Sequence, residues 1–198
     1  LQLFLHGIDM LRQHVRPEVR MHGIVTEGGS APNIVPSKAA ARLLLRAPWR
    51  TYLNEVVEQV FDCARGAAIA TQTEVSWSKC GYSMDNMLPN PTGKNMLKKI
   101  MEEEVGEPIN DYPSLTGSTD MGAISWRLPT LELLICVSEQ EIAPHTVDFG
   151  RACRGGKARS ALSKAARGLA RASLKTILDE TLRIRMKEDY EKQKHIQL

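Results

Sequence analysis

Residues 19–48 read "VRMHGIVTEGGSAPNIVPSKAAARLLLRAP". The first nine alternate as a strand should, with Val19, Met21, Gly23 and Val25 on one side and Arg20, His22, Ile24 and Thr26 on the other. Glycine, serine, proline and asparagine over 28–37 are turn chemistry. "KAAARLLLRA" then resumes as a second strand that carries Arg42, Leu44 and Arg46 on one face. The pair is expected to lie side by side in one sheet.

Working outward, Leu3, Leu5, Ile8, Leu11 and Val15 recur at helical spacing as far as Pro17, without a capping signal or signal-peptide flanks, so the chain is expected to open inside a helix. After Pro48, the segment "WRTYLNEVVEQVFDCARGAAIAT" places Leu53, Val56, Val57, Val60, Phe61, Ala64 and Ala67 on one stripe of a second helix. "TEVSWSKC" at 73–80 reads as a third strand. Helix, strand, strand, helix, strand is the order left by a split βαβ, ferredoxin-like α+β sandwich whose first strand precedes Leu1.

The turn-rich stretch "GYSMDNMLPNPTG" at 81–93 marks a boundary. Beyond it, "KNMLKKIMEEEVG" is helical and closes on Gly106 as C-cap. "LTGSTDMGAISWRLPTLELLICV" is a hydroxyl-rich loop running into a buried strand. From 155 onward one long or two consecutive helices finish the chain, with Ala158, Ala161, Leu162, Ala165, Leu169, Leu174, Ile177 and Leu178 expected on the buried face.

Bulk properties narrow the classes. The chain has 198 residues with 42% hydrophobic content, ordinary for globular domains, and its longest apolar runs are too short to span a bilayer. Cys63, Cys80, Cys136 and Cys153 lie far apart with no C-x-x-C pair, so reduced thiols in a cytoplasmic setting are the default. From Arg151 onward 13 Lys and Arg face 5 Asp and Glu, against 13 and 18 before it. Those cations interleave with an apolar stripe and have few aromatic companions, which favours a solvated helix face over a nucleic-acid surface.

Three places could hold chemistry. Gly117, Ser118, Thr119 and Asp120 offer open backbone, two hydroxyls and a carboxylate, a set able to cradle a polar substrate group, although an Asx or ST turn uses the same residues. His145, in "EIAPHTVDFG" at 141–150, follows a strand-like run; a metal site would need further ligands converging on it. Asn33 and Arg46 suit a carboxylate clamp, and as ordinary residues of a half-buried hairpin they are equally at home.

Together, "MLRQHVRPEVRMHGIVTEGGSAPNIVPSKAAARLLLRAP", "GSTDMGAISWRLPTL" and "APHTVDFG" with its trailing alanine-rich helix resemble the aminoacylase and carboxypeptidase-G family of zinc metallopeptidases, family M-twenty. The nearest branch is the amidohydrolases that include aminobenzoyl-glutamate hydrolase and β-alanyl-lysine type dipeptidases. The resemblance implies an α/β catalytic domain with a smaller split-βαβ lid inserted in it, the lid often mediating dimerisation. It assigns residues 1–80 to a partial lid and 81–198 to the C-terminal part of the catalytic domain.

By the same resemblance His145 falls at the last metal ligand, Asn33 and Arg46 at the lid pattern tied to the substrate's carboxylate end, and Gly117 to Asp120 at the loop bordering the site. The implied reaction is attack of metal-bound hydroxide on an amide carbonyl in a dipeptide or N-acyl amino acid, with zinc, manganese or cobalt as the ion. The family's His-x-Asp or Cys-x-His motif, Glu-Glu pair and "His-Ala" histidine do not occur here; "EEE" at 102–104 lies elsewhere. The chain is therefore expected to be a fragment with no catalytic residues of its own, inactive and poorly soluble alone, or else a non-catalytic dimerisation or binding module. Homodimerisation through the lid is the implied partner contact, with neither nucleic acid nor membrane.

Overall fold

The computed structural model describes residues 1–109 and 117–197, in two compact units, Leu1–Asn86 and Met87–Ile196. The division falls inside the turn-rich stretch 81–93.

In the first unit, α1 (Gln2–Leu11) is followed by an antiparallel hairpin, β1 (Arg20–Glu27) and β2 (Ala40–Arg46), and by α2 (Arg50–Thr71). The register pairs Arg20 with Arg46, His22 with Leu44 and Ile24 with Arg42, and it slips between Val25 and Glu27. Alternation then sends Met21, Leu43 and Leu45 toward the helices, where they meet Ile8, Val19, Val56 and Val60 in one core. Met21 and Val56 are completely enclosed. α2 buries Val56, Val60, Ala64 and Ala67, a stripe at the expected spacing. It stops at Gln72, whose left-handed backbone (φ 51°) lets Thr73 N bond back to the Ala68 carbonyl at 3.0 Å.

The expected third strand at 73–80 is not formed: these residues run exposed and without a ladder. A strand exists only through a hydrogen-bonding neighbour, and among the described residues none lies beside it. Beyond the bond from Thr73 N, Trp77 holds it to the unit, stacked on Phe61 of α2 with centroids 4.4 Å apart.

The second unit comprises α3 (Pro91–Lys99), a π-helical continuation over Ile100–Val105, the short α4 (Met121–Ser125) and α5 (Val147–Ala152), then α6 (Gly156–Leu178) and α7 (Glu180–Gln197). Gly106 ends the π segment in the left-handed region (φ 74°), the C-cap its sequence announces. The core gathers Met96, Leu97, Ile100, Met101, Val105 and Ala172, with Leu131, Leu133 and Ile135 packed against it. The segment 131–137 keeps the in-and-out alternation of a strand but carries no ladder, so it is extended chain rather than the buried strand expected.

α6 buries the alanines at the start of the expected face but not its large aliphatic residues. Ala158, Ala161, Gly168 and Ala172 are buried, whereas Leu162, Ile177 and Leu178 stand 71%, 69% and 75% exposed. Small residues permit the close approach of α6 to the π segment, where Met101 lies directly over Gly168. The helix breaks at Asp179, whose side chain accepts from Leu182 N at 2.9 Å, while Arg183 donates to the Thr176 and Ile177 carbonyls at the end of α6.

Candidate functional site

His145 precedes α5 in a fixed turn. Its backbone is left-handed (φ 63°), a conformation uncommon for side-chain-bearing residues though histidine is enriched among the exceptions. Thr146 locks it there: its hydroxyl donates to the Ala143 carbonyl at 2.8 Å and accepts from Phe149 N at 3.1 Å as the N-cap of α5. The residue before the capped helix consequently presents its imidazole to solvent. Backbone held in a sparsely populated region by such bonds is often found at ligand-handling sites. Two concavities of the second unit, an apolar groove beside Leu97, Leu131 and Ala172 and a polar one beside Glu104 and Arg171, do not include His145.

Gly117, Ser118 and Asp120 are exposed and Thr119 is half-buried. Thr119 Oγ1 donates to Glu132 Oε1 at 3.1 Å and accepts from Met121 N at 3.3 Å, so it forms the ST turn that starts α4. Asp120 sits at the N-cap position without capping through its side chain, which leaves the carboxylate outward. Residues 115 and 116, the start of this expected loop, lie outside the described residues. Glu132, absent from the sequence reading, belongs beside Thr119; the alternation of 131–137 was the signal, since it puts residue 132 on the outer side. Thr146 was likewise legible only as a helix-start residue.

Asn33 and Arg46 belong to the first unit. Asn33 is exposed in a turn closed by Ile34 N to the Ala31 carbonyl at 3.2 Å. Arg46 ends β2 opposite Arg20, six residues, or roughly 20 Å, along the strand from where the 28–39 loop re-enters the sheet. For both to reach one carboxylate, the loop must fold back along the sheet or two copies must contribute. Arg20 avoids like-charge opposition with Arg46 by donating to the Pro17 and Val19 carbonyls.

Part of the charge of α6 is paired within the unit. Lys157, Lys164 and Arg171 pair with Glu139, Glu107 and Glu104 at 2.9, 2.6 and 3.2 Å, and Arg167 donates to the Glu104 carbonyl. The Lys157 ammonium is held above its usual range by Glu139. Of the four free thiols only Cys63 is half-buried; burial pushes it up, and the neighbouring Asp62 carboxylate adds to this. Iodoacetamide at pH 8 is accordingly expected to label Cys80, Cys136 and Cys153 well before Cys63, read by peptide mass spectrometry; Cys63 labelled first would contradict this environment.

Among the described residues no three His, Cys, Asp or Glu side chains converge as a metal site. One exposed imidazole does not hold a divalent ion by itself, so the residues present do not fit a complete metal centre. No described helix is long and apolar enough to cross a membrane.

No family model matches the chain. It is 29% identical over 194 residues to Xaa-Arg dipeptidase from Homo sapiens, covering 95% of this chain and 44% of that protein. Xaa-Arg dipeptidase from Mus musculus is 29% identical over 184 residues, 89% of this chain and 41% of the relative. A p-aminobenzoyl-glutamate hydrolase subunit from Escherichia coli (strain K12) is 31% identical over 102 residues, 50% of this chain and 21% of the relative. The chain thus spans less than half the length of the curated relatives it matches. These relatives fall in the branch that the three sequence segments indicate, so the chain is similar over most of its length to the amidohydrolase branch of metallopeptidase family M-twenty.

Proposed function

We propose that this chain is the part of a metal-dependent amidohydrolase that supplies one metal-binding imidazole and the substrate-carboxylate contacts, for cleavage of an amide bond in a dipeptide or N-acyl amino acid. The observation that carries the reading is His145: an exposed ring on a left-handed residue, pinned by Thr146, in a chain 29% identical to an Xaa-Arg dipeptidase across nearly its whole length. The first unit is read as the partial lid, with Asn33 and Arg46 as its substrate contacts and as the surface of a homodimer. The 117–120 loop borders the site in the second unit. The ion, zinc or else manganese or cobalt, needs donors beyond those present, so no catalytic step is assigned to this chain's residues. Four free thiols suit a reducing, cytoplasmic setting.

The 198-residue chain with added zinc is expected to turn over no dipeptide or N-acyl amino acid. A chimera in which it replaces the matching part of the human relative is expected to hydrolyse dipeptides. His145→Ala in that chimera should lower both bound metal and kcat/KM by more than about 100-fold, beyond the 10–100-fold typical when a ligand's supporting residue is lost. Turnover by the isolated chain, or an unaffected His145→Ala chimera, would overturn the assignment.

A second reading, a non-catalytic dimerisation or binding module, is favoured by the absence of a converging ligand set among the described residues. Homodimerisation through the first unit is part of the first reading and self-association part of the second. A compact monomer on size-exclusion chromatography would count against both.

A further inference from the structure

The chain leaves the first unit at Asn86 and enters the second at Met87. Arg50, the first residue of α2, grips the three residues before the crossing. Its Nε donates to Asp85 Oδ1 at 2.6 Å, its Nη2 to the Met84 carbonyl, and its backbone N to Asn86 Oδ1 at 3.0 Å. The ion pair is mostly enclosed, with side chains 20% and 34% exposed, so solvent screens it less than the other pairs of this unit. The helix behind it is anchored in the core through Val56 and Val60.

A second fixing point follows at once. Leu88 is 3% exposed and its N donates to Ser125 Oγ at 2.9 Å; Ser125, 1% exposed, donates onward to the Gly122 carbonyl. Two residues later Asn90 caps α3 and reaches the Met186 carbonyl. Between the grip on 84–86 and the anchor at Leu88 stands one residue.

We propose that Met87 is a one-residue pivot joining the two units, and that Arg50 keeps the joint that short. Upstream of the grip, the next aromatic anchor is Trp77, stacked on Phe61 and covered by Arg65 at 5.4 Å. Residues 78–84 between them are exposed, Tyr82 completely. With the grip opened, the tether between anchors runs from residue 78 to residue 87, and its maximal reach grows from about 3.5 Å to about 35 Å. A joint of one residue permits rotation about two dihedrals, whereas a tether of about ten permits free separation. Arg50 is in this sense a positioning residue.

The test is backbone ¹⁵N relaxation on the 198-residue chain. In the parent, order parameters at 84–86 are expected to match those of α2, about 0.85. In Arg50→Gln combined with Asn86→Ala they should fall below about 0.6 throughout 78–86, with α2 and α3 unchanged and the two units tumbling at distinct rates. Asp85→Asn, which leaves α2 untouched, should lower the same residues by less. Unchanged order parameters at 84–86 in the double variant would overturn the proposal. So would a loss that spreads through α2, because Arg50 would then be holding the first unit together and not setting the joint.

Discussion

Gly168→Val is expected to cost the second unit more than about 3 kcal/mol, and Gly168→Ala about 1–3 kcal/mol, the range for overpacking a filled core. In an ordinary exposed helix the alanine change would stabilise by about 1 kcal/mol, so here the sign reverses. The reason is contact. A Cβ built on Gly168 would fall well inside the contact distance of Met101 Sδ, and Met101 has no exposed surface into which to retreat. Ala158, Ala161 and Ala172 are buried along the same stripe, so the helix cannot lift at Gly168 without exposing them. Urea unfolding of the two variants measures the effect. Met101→Ala should lose about 2–5 kcal/mol in the parent but clearly less in the Gly168→Ala background, since the second change removes the atom that clashes. Gly168→Ala at parental stability would show that the two helices are not packed as described.

Asn90→Ala carries a comparable loss, about 2–4 kcal/mol, by a different route. The side chain is 5% exposed and uses both ends: Oδ1 accepts from Gly93 N at 2.9 Å as the N-cap of α3, and Nδ2 donates to the Met186 carbonyl at 2.8 Å. Removing a cap costs about 1 kcal/mol. Stranding a buried carbonyl costs about 1–3 kcal/mol more, because no water replaces the lost donor. Asn90→Asp separates the two, since it keeps the cap acceptor and loses the donor. Thermal unfolding should rank parent, Asp and Ala in descending order; an Ala variant as stable as Asp would mean that the cap contributes nothing.

Both positions could be read only in part from sequence. "NPTG" was expected to belong to the turn-rich boundary, with the helix beginning after Gly93, whereas α3 begins at Pro91 with Asn90 as its cap. That the same amide spans 96 residues to hold α7 is a tertiary fact. The α6 face shows the limit more sharply: of the stripe expected from spacing, Ala158 and Ala161 are buried, but Leu162, Leu169, Leu174, Ile177 and Leu178 are exposed, and Gly168 and Ala172 are buried instead. Hydrophobicity ranks how much surface a residue offers for burial, whereas the π segment selects the face that lets two backbones approach. The π turn itself had no distinct signature in "IMEEEV".

The candidate site divides in the same way. His145 was legible because a lone histidine after a strand-like run matches the family's pattern, and the structure adds its left-handed backbone, its exposure and the Thr146 cap. Thr119 was found as a hydroxyl in a turn, but its bond to Glu132 joins residues 13 apart. Asn33 and Arg46 were grouped by their carboxylate-binding chemistry and by the family resemblance; the hairpin register sets Arg46 at the end remote from the loop that carries Asn33.

By itself, then, the sequence determined the hairpin, the two helices packed on it, the C-cap at Gly106, and the likeness to the amidohydrolase branch. These rest on periodicity, on residues with special backbone preferences, and on similarity along the chain. Only the tertiary structure decided that 73–80 and 131–137 remain extended without a ladder, that α6 buries its small residues, and that Arg50 grips the crossing. Each of these depends on a partner far away in sequence, and strand pairing, close packing and ion pairing are properties of two surfaces, of which a local stretch of sequence specifies one.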